Sequence, residues 1–383
     1  DGSCDEGPSY WGHAGASLFD NLELLHGATR GRFDVYGWDK VRQIGQFIYR
    51  AHIYDDYFID VGDCDARFEI PYDLTFRYGL RIGDSRMQLL ARFGMTAEDM
   101  LTGRRSLYSL GRVLHTLFNL NEFMAFEAKS QPLLRDVWLG DEDMQLMAAR
   151  DQEGTCDGLF VACWGGHNGQ SHNNNDVGNF IVYADGRPFI IDVGRPTYTR
   201  QTFSSDRYKI WTMQSAYHSL PTINGVMQGA GRPYVATDVR YSAGDESAQL
   251  TMDIAGAYPS GARVRSWRRT VRLNRGRSVE VEDAYELAAE SNDVVMNLLT
   301  PCEVRGGDSG ELYLTDQQSG TKMFILFEGD KLRARIESLE MEDEKLASIW
   351  GSRLQRILLA ARRPVQKDRW LMRFSIIDGG EAR

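Results

Sequence analysis

The chain has 383 residues, of which 42% are hydrophobic and 26% are charged, values typical of a folded globular protein. Its formal net charge of −10 makes nucleic acid an unexpected partner, because the bulk charge repels a polyanion. No apolar run approaches the ~20 residues that a bilayer-spanning helix needs, so no membrane partner is expected.

Residues 1–130 are predicted to be helical. Pro8 suits a first helical turn. Apolar residues then recur at helical spacing and predict one buried face, formed by Tyr10, Ala14, Leu18, Leu22 and Leu25. Four more segments have helical patterns separated by Gly, Asp or Pro breaks: WDKVRQIGQFIYRAHI, DLTFRYGLRIG, SRMQLLARFG and SLGRVLHTLFNLNEFMAF.

From residue 131 onward, short alternating or apolar runs separated by turn signals indicate antiparallel strands. The turn signal ADGR (Ala184 to Arg187) predicts a β-hairpin. The runs are GLFVACW, NFIVYADGRPFIIDVG, AQLTMDIAGAY, RTVRLNRGRSVEVEDAYEL, DVVMNLLT, TKMFILFE and WLMRFSIID. We therefore expect an α+β multidomain protein, with helices over residues 1–130 and a large antiparallel β-sandwich over residues 131–383.

One polar stretch between two predicted strands, GGHNGQSHNNNDVGNF (Gly165 to Phe180), has more donors and acceptors than a turn needs. His172 and Asp176, with Asp192 and His218 further along, could converge as metal ligands, since zinc takes about four His, Cys or carboxylate ligands. The alternative, to which the spacing gives about equal weight, is a hydrogen-bonded loop in which His172 is a turn residue.

Tyr10 could stand at the rim of a cleft and act as a proton donor or acceptor. Packing in the core is the favoured alternative, because Tyr10 shares the predicted face with Leu18 and Leu22.

The connection GRPTYTRQTFSSDRYKIW could line a groove for an anionic sugar, or could form a solvated loop. Its arginines are Arg195, Arg200 and Arg207. Tyr208 and Trp211 could stack on a sugar ring, and burial in the sandwich is equally consistent with them.

Other motifs are excluded or carry no site. There is no GxSxG, P-loop or HExxH motif, and the five cysteines lack CxxC spacing and are expected to be mostly small buried residues. The basic run RVRSWRRTVRLNRGR alternates as the solvated face of a strand does.

Three segments resemble the heparinase II/III-like polysaccharide lyases: DGSCDEGPSYWGHAGASLFDNLELL, SHNNNDVGNFIVYADGRPFIIDVG and HSLPTINGVMQ. The resemblance implies a helical toroid, of which residues 1–130 would be the C-terminal part, followed by a β-sandwich. The family's DGxxxEGxxY pattern places its catalytic tyrosine at Tyr10, and its SHxHxD pattern places its catalytic histidine at His172. His167 is then a loop residue.

The resemblance also implies a structural zinc site, at which Asp192 and His218 match two ligand positions. Asn174 stands where relatives have another histidine. An amide oxygen is a weak zinc ligand, so the site is expected to be empty, altered or occupied by a harder cation. No cofactor is expected to be required for the chemistry.

The implied reaction is β-elimination on a uronic-acid-containing polysaccharide, such as a glycosaminoglycan or an alginate-like chain. Tyr10 would be the acid, and also the base when both protons leave from one face. His172, facing it across the cleft between toroid and sandwich, would be the other base or a carboxylate neutraliser. Neighbouring polar groups, among them Asp176, would fix its ring. The expected substrate contacts are Glu6, Asn173, Asn175, Arg200, Arg207 and Tyr208.

Relatives carry a neutralising Asn or His about fifty residues before the tyrosine, so the missing N-terminal part of the toroid is an expected partner. The resemblance implies a periplasmic or secreted location. The alternative function is that of a catalytically inactive or carbohydrate-binding relative, which Asn174 and the absent neutralising residue favour.

Overall fold

The computed structural model describes residues 1–96, 98–99, 110–128, 130–307, 309–378 and 381–382. These residues form a mixture of helices and large antiparallel sheets. The chain divides into two compact units, the first Asp1–Leu134 with Glu153–Thr155 and the second Arg135–Gln152 with Cys156–Arg383. Among the described helices, none has the length and apolar character needed to span a membrane.

The described residues of the first unit form helices and a small hairpin. The helices are α1 (Ala14–Ala28), α2 (Asp39–Arg50), α3 (Tyr72–Ile82), α4 (Ser85–Gly94), α5 (Leu110–Phe118) and α6 (Leu120–Ala125), and the hairpin strands are β1 (His52–Tyr54) and β2 (Tyr57–Phe58). Stacked aromatic rings form part of the core: Phe19 lies 4.5 Å and Trp11 6.2 Å from Tyr78, between ring centroids.

Several helix predictions needed correction. Tyr10 lies in a short 3-10 turn, Pro8–Gly12, and α1 begins only at Ala14. The buried face of α1 contains Phe19 and Leu22, whereas Leu25 is 45% exposed, so the predicted face was rotated. The second predicted helix ends at Arg50, because its last residues form β1. The last predicted helical segment, SLGRVLHTLFNLNEFMAF, forms two short helices, α5 and α6. Its first residue, Ser109, lies outside the described residues.

The described residues of the second unit form the remaining strands, one α-helix and several short 3-10 turns. The first strands are β3 (Asp136–Leu139), β4 (Leu146–Arg150), β5 (Leu159–Trp164), β6 (His167–Asn168), β7 (Phe180–Ala184), β8 (Arg187–Ile190), β9 (Pro221–Ile223), β10 (Gly231–Val235), β11 (Thr237–Ala243) and β12 (Ser247–Asp253). The others are β13 (Val264–Asn274), β14 (Ser278–Ser291), β15 (Val294–Thr300), β16 (Glu303–Gly306), β17 (Glu311–Thr315), β18 (Lys322–Phe327), β19 (Leu332–Glu340), β20 (Arg353–Ala361), β21 (Val365–Asp378) and β22 (Glu381–Ala382), with helix α7 (Glu344–Trp350) before β20.

These strands form three main antiparallel sheets. A nine-stranded sheet runs β11-β12-β13-β14-β21-β18-β17-β16, with β22 paired to β21. A four-stranded sheet runs β19-β20-β15-β9, and a five-stranded sheet runs β3-β4-β5-β7-β8. In β12, β13 and β14 every second residue is buried, as expected for strands with one solvated face, and β4, β5 and β7 are buried along their whole length.

The predicted ADGR hairpin is confirmed. Ala184 pairs with Arg187, and the two turn residues, Asp185 and Gly186, have φ values of 49° and 73°. Positive φ at both central positions is the requirement of the tight two-residue turns that match strand twist.

The basic strand, predicted to be solvated, contains one exception. In β13, Arg268 is exposed but Arg269 is fully buried, because it pairs with Asp283 on the neighbouring strand. The expectation for the cysteines is confirmed: all five are free, and Cys64, Cys163 and Cys302 are buried.

Candidate active site

The polar stretch between β5 and β7 is held by side-chain amides. The Asn168 Nδ2 donates to Gln228 Oε1 and to the Gly229 carbonyl, both at 2.9 Å, while its Oδ1 accepts from the Asp176 N–H at 3.1 Å. The Gln228 amide bonds both the N–H and the carbonyl of Val177, at 3.0 and 2.7 Å. These amides satisfy backbone groups that no strand partner reaches, so part of the polar stretch serves the loop itself.

His167 is one of the residues that fix the loop. Its imidazole is only 5% exposed, its Nε2 lies 2.7 Å from Asp143 Oδ1, and its Nδ1 accepts from the Gly169 N–H at 3.0 Å. Both ring nitrogens are thus used in structural contacts, and His167 lies in the short strand β6 rather than in a loop as predicted.

His172 has different surroundings. It is half-buried and has a φ of +54°, a left-handed conformation that is uncommon for a non-glycine residue. Its Nδ1 lies 3.1 Å from the Tyr198 hydroxyl, and the Tyr198 and Phe203 rings lie 6.1 and 6.4 Å from the imidazole, between centroids. The contact at Nδ1 restricts the direction of the ring, and an uncommon backbone conformation of this kind is often found at functional sites.

His172 opens onto a cavity of about 300 Å³. The cavity is lined by Gln170, His172, Asn173, Thr202, Phe203, Ser204, Arg207 and Tyr208. Asn173 is 3% exposed, and within the described ranges no hydrogen-bond partner reaches either polar atom of its side-chain amide. Because burying an unpaired amide is costly, this group is suited to bind a ligand.

Arg207 holds the backbone beside His172. Its Nε and Nη2 both donate to the Asn173 carbonyl, at 3.0 and 2.9 Å. The guanidinium therefore places a positive charge in the cavity wall. Its two hydrogen bonds to the same carbonyl keep that charge in a fixed position.

The other predicted contact residues are distributed as follows. Tyr208 lines the cavity, Asn175 is buried with its N–H donated to the Met213 carbonyl at 3.1 Å, and Arg200 is exposed and does not line the cavity. Glu6 and Tyr10 belong to the first unit, where both are half-buried. The roles assigned to these residues stay predictions.

Tyr198 and Phe203 were missed as partners of His172. The aromatic character of TYTRQTF was visible, but its contact with a residue more than twenty positions earlier was not. A long connection with several aromatic residues was the signal available.

Asp176, Asp192 and His218 form a second, fully buried cluster, in which one ligand-type atom from each lies within 4.8 Å of the others. The Asp192 Oδ2 is 2.8 Å from His218 Nδ1 and accepts from Asn179 Nδ2 at 2.7 Å, and its Oδ1 accepts from the Gly194 N–H at 3.0 Å. The Asp176 Oδ2 accepts from the Trp164 indole N–H at 3.0 Å.

Burial and charge perturb this cluster. Burial raises the pKa of Asp176 to about 7, against the opposing effect of the His218 charge. Burial alone would lower the pKa of His218, but the Asp192 charge and its hydrogen bond prevail and raise that pKa.

The cluster fits a divalent cation in one respect that the structure shows. His218 Nε2 is buried and has no hydrogen-bond partner among the described residues, while Nδ1 faces the Asp192 carboxylate. A cation on Nε2 would leave Asp192 as the acceptor of the Nδ1–H, whereas a cation shared with Asp192 would replace that hydrogen bond at Nδ1. Asn174, the third residue of the predicted ligand set, is also buried, and its amide oxygen would be a weak ligand for zinc.

Comparison with known proteins places the chain in a family. The family model described as "Heparinase II/III-like, C-terminal" matches residues 151–354, more than half of the chain. The chain therefore belongs to the heparinase II/III-like family. No curated protein sequence matched it.

Solved structures share the fold at low identity. A mutant of the heparan sulfate lyase HepC from Pedobacter heparinus matches at 15% identity with a TM-score of 0.68, over 100% of this chain and 54% of that one. A heparinase III structure matches at 13% identity with a TM-score of 0.67, over 98% and 54%. A xanthan lyase from Paenibacillus matches at 10% identity with a TM-score of 0.51, over 94% and 38%. The chain thus spans about half the length of the two heparinase structures.

Proposed function

We propose that the protein is a polysaccharide lyase that cleaves a uronic-acid-containing acidic polysaccharide, a glycosaminoglycan or an alginate-like chain, by β-elimination. The observation that carries the proposal is the His172 cavity. It combines a strained histidine, a hydroxyl at its Nδ1, the Arg207 cation and the unpartnered Asn173 amide. Family membership and the lyase names of the structural relatives support the same class of reaction.

The chemistry requires two proton transfers. A base takes the C5 proton, the electron pair of that C–H bond forms the C4–C5 double bond, and the C4–O4 bond breaks while an acid protonates O4. Negative charge develops next to the uronate carboxylate, so a nearby fixed cation or amide lowers the barrier. Arg207 and Asn173 supply such groups in the cavity wall.

We assign acid catalysis to Tyr10 and base catalysis or carboxylate neutralisation to His172. Tyr10 also serves as base when both protons leave from one face. A histidine that transfers protons needs a fixed ring plane and tautomer, and the Tyr198 hydroxyl at Nδ1 meets that need. Glu6, Asn175, Arg200 and Tyr208 are proposed as further substrate contacts.

A structural cation, where one binds, would be held by Asp176, Asp192 and His218, with Asn174 near it in sequence. It would tie together three segments of the chain and would take no part in proton transfer. We further propose that the protein acts in the periplasm or outside the cell and that additional toroid helices complete it.

The test is formation of the unsaturated uronate product, followed by its ultraviolet absorbance, with a panel of uronic-acid polysaccharides. Tyr10→Phe and His172→Ala are each expected to abolish the signal while leaving the circular dichroism spectrum unchanged. Tyr313→Phe, at an exposed tyrosine in β17, is the matched control and should retain full activity. A folded Tyr10→Phe/His172→Ala double variant with full activity would refute the assignment.

The second candidate function is that of an inactive, carbohydrate-binding relative. Asn174, at a position where relatives have a histidine, favours it. It predicts retained affinity for acidic oligosaccharides without any absorbance change, in the wild-type chain as well as in the variants.

A further inference from the structure

A groove with a volume of about 770 Å³ lies in the second unit, and its lining shares no residue with the His172 cavity. One wall is the connection spanning residues 196–217, and the other is the segment spanning residues 338–346, where β19 ends and α7 begins. The same connection contributes Thr202, Phe203, Ser204, Arg207 and Tyr208 to the His172 cavity. The two cavities therefore border one segment of the chain.

Hydrogen bonds between the walls fix the shape of the groove. The Thr197 N–H donates to Asp343 Oδ2 at 2.9 Å, and Lys345 Nζ donates to the Arg195 carbonyl at 3.0 Å. At the base of the same connection, the Trp350 indole N–H donates to the Val193 carbonyl at 2.9 Å. A groove built this way is preformed, which reduces the entropic cost of binding a ligand.

Two aromatic side chains line the groove. Trp211 and Tyr217 are both half-buried, and their rings meet edge to face at 5.1 Å between centroids. Neither the Trp211 indole N–H nor the Tyr217 hydroxyl bonds to another residue in the part of the chain that the structure covers. Partly exposed rings with available polar tips are the features with which proteins stack and hydrogen-bond flat, hydroxyl-bearing ligands.

The charges around the groove limit which ligands it can bind. Among the described lining residues, Glu340, Glu342 and Asp343 outnumber the one cation, Lys209, and only Glu340 is paired with a further arginine, Arg353 at 3.1 Å, so the net charge disfavours a uronate or sulfate. The Arg356 guanidinium already lies over the Tyr217 ring, 4.5 Å from its centroid, so a second cation at that ring is disfavoured. The Glu342 carboxylate and the second oxygen of Glu340 remain acceptors for neutral hydroxyl groups, whereas both Asp343 oxygens already accept backbone N–H groups.

We propose that this groove is a second carbohydrate site, distinct from the His172 cavity, that binds uncharged sugar units. The sugar ring would stack on Trp211 or Tyr217, and its hydroxyl groups would donate to the carboxylates of the 338–346 wall. A polysaccharide with neutral sugars among its acidic ones would thereby be held at a point away from its uronate residues.

Calorimetric titration of the intact chain with cellobiose and with N,N′-diacetylchitobiose tests the site. Trp211→Ala is expected to weaken binding of at least one of them by about tenfold or more, because stacking is lost. The matched control is Trp138→Ala, which disrupts a different half-buried stack, with Tyr241 at 5.0 Å, outside the groove. It should change the affinity less than about twofold.

Thr199→Trp provides a second variant that does not depend on the stability of Trp211→Ala. Thr199 is exposed and lines the groove, so a bulky side chain there fills the site without entering the core. Loss of neutral-sugar binding in Thr199→Trp, with Trp138→Ala unaffected, supports the proposal. Absence of binding by both disaccharides, or undiminished binding in Thr199→Trp, overturns it. Neither probe contains a uronate, so the result is independent of whether the chain has lyase activity.

Discussion

Removing Arg269 should destabilise the second unit more than any single surface change on the same strand. Its guanidinium is fully buried and donates to both carboxylate oxygens of Asp283, at 2.9 and 2.8 Å. It also donates to the carbonyls of Gly178 and Ser219, at 2.8 and 2.6 Å. One side chain thus joins β14 to the two segments that carry Asp176 and His218.

The expected loss follows from what remains after the substitution. In Arg269→Met, Asp283 stays 0% exposed without its cation, and two buried carbonyls lose their donor. Breaking a buried ion pair by removing one partner costs about 3–5 kcal/mol. The Trp267 indole N–H still donates to Asp283 Oδ1 at 2.8 Å, which favours the lower end of that range. Since domains are stable by only ~5–15 kcal/mol, the loss is a large fraction of the total.

Urea unfolding followed by tryptophan fluorescence and circular dichroism measures the loss. Arg268→Met, at the exposed neighbouring position of β13, is the matched control and should change the unfolding free energy by less than about 0.5 kcal/mol. The double variant Arg269→Met/Asp283→Leu removes both charges and should lose less than the single variant. A loss below about 1 kcal/mol in Arg269→Met, or one equal to that of the control, would refute the reasoning.

Three further predictions concern the site and its supports. Tyr198→Phe removes the hydroxyl beside His172 Nδ1 and should lower the lyase rate about three- to tenfold. It should also shift the His172 imidazole resonances in NMR, and unchanged resonances would contradict the contact. Burial opposes ionisation of Asp343, but hydrogen bonds from backbone N–H groups prevail and lower its pKa. The stabilising effect of the Asp343 carboxylate should therefore be complete above the unfolded carboxyl pKa of ~3.9 and be lost as the pH falls through the folded pKa. In thermal unfolding, Asp343→Ala should cost about 1 kcal/mol at neutral pH. The stability of this variant should fall less at acid pH than that of the wild type. His218→Ala should lose any zinc that the wild type retains after dialysis, with the zinc content measured by elemental analysis. An equal zinc content in the wild type and the variant would show that the buried cluster does not bind the zinc.

The parts of the fold that depend on local sequence were predictable. The ADGR turn specifies its own hairpin, and the alternation in β13 specifies which face is buried. Arg269 was not predictable, because only its register opposite Asp283, set by pairing between distant strands, explains its burial. The prediction of the buried face of α1 was wrong for a similar reason. The chain enters α1 through a 3-10 turn, so Tyr10 does not share the helical period of Phe19 and Leu22.

In the candidate site, too, some features were visible in the sequence and others depend on contacts between distant segments. His172 stood out in the sequence because of its polar surroundings, but its ring is fixed by Tyr198 and Phe203, which reach it only through the folded connection between β8 and β9. Asn173 could not be separated from the adjacent asparagines by composition. In the described structure both polar atoms of its buried amide lack a hydrogen-bond partner, whereas the Asn175 Nδ2 donates to the Gln228 carbonyl.

Asn179 changes what the buried cluster requires. Its Nδ2 donates to Asp192 Oδ2 at 2.7 Å and lies 3.4 Å from His218 Nδ1, while its Oδ1 accepts from the Ser219 N–H at 2.8 Å. The amide therefore joins the strand end at Asp192 to the segment at His218 by direct hydrogen bonds. Because these bonds already link the two segments, their arrangement does not depend on a cation. A weak ligand at Asn174 is thus compatible with a correctly folded cluster, and zinc removal should leave the Asp192 and His218 segments in place.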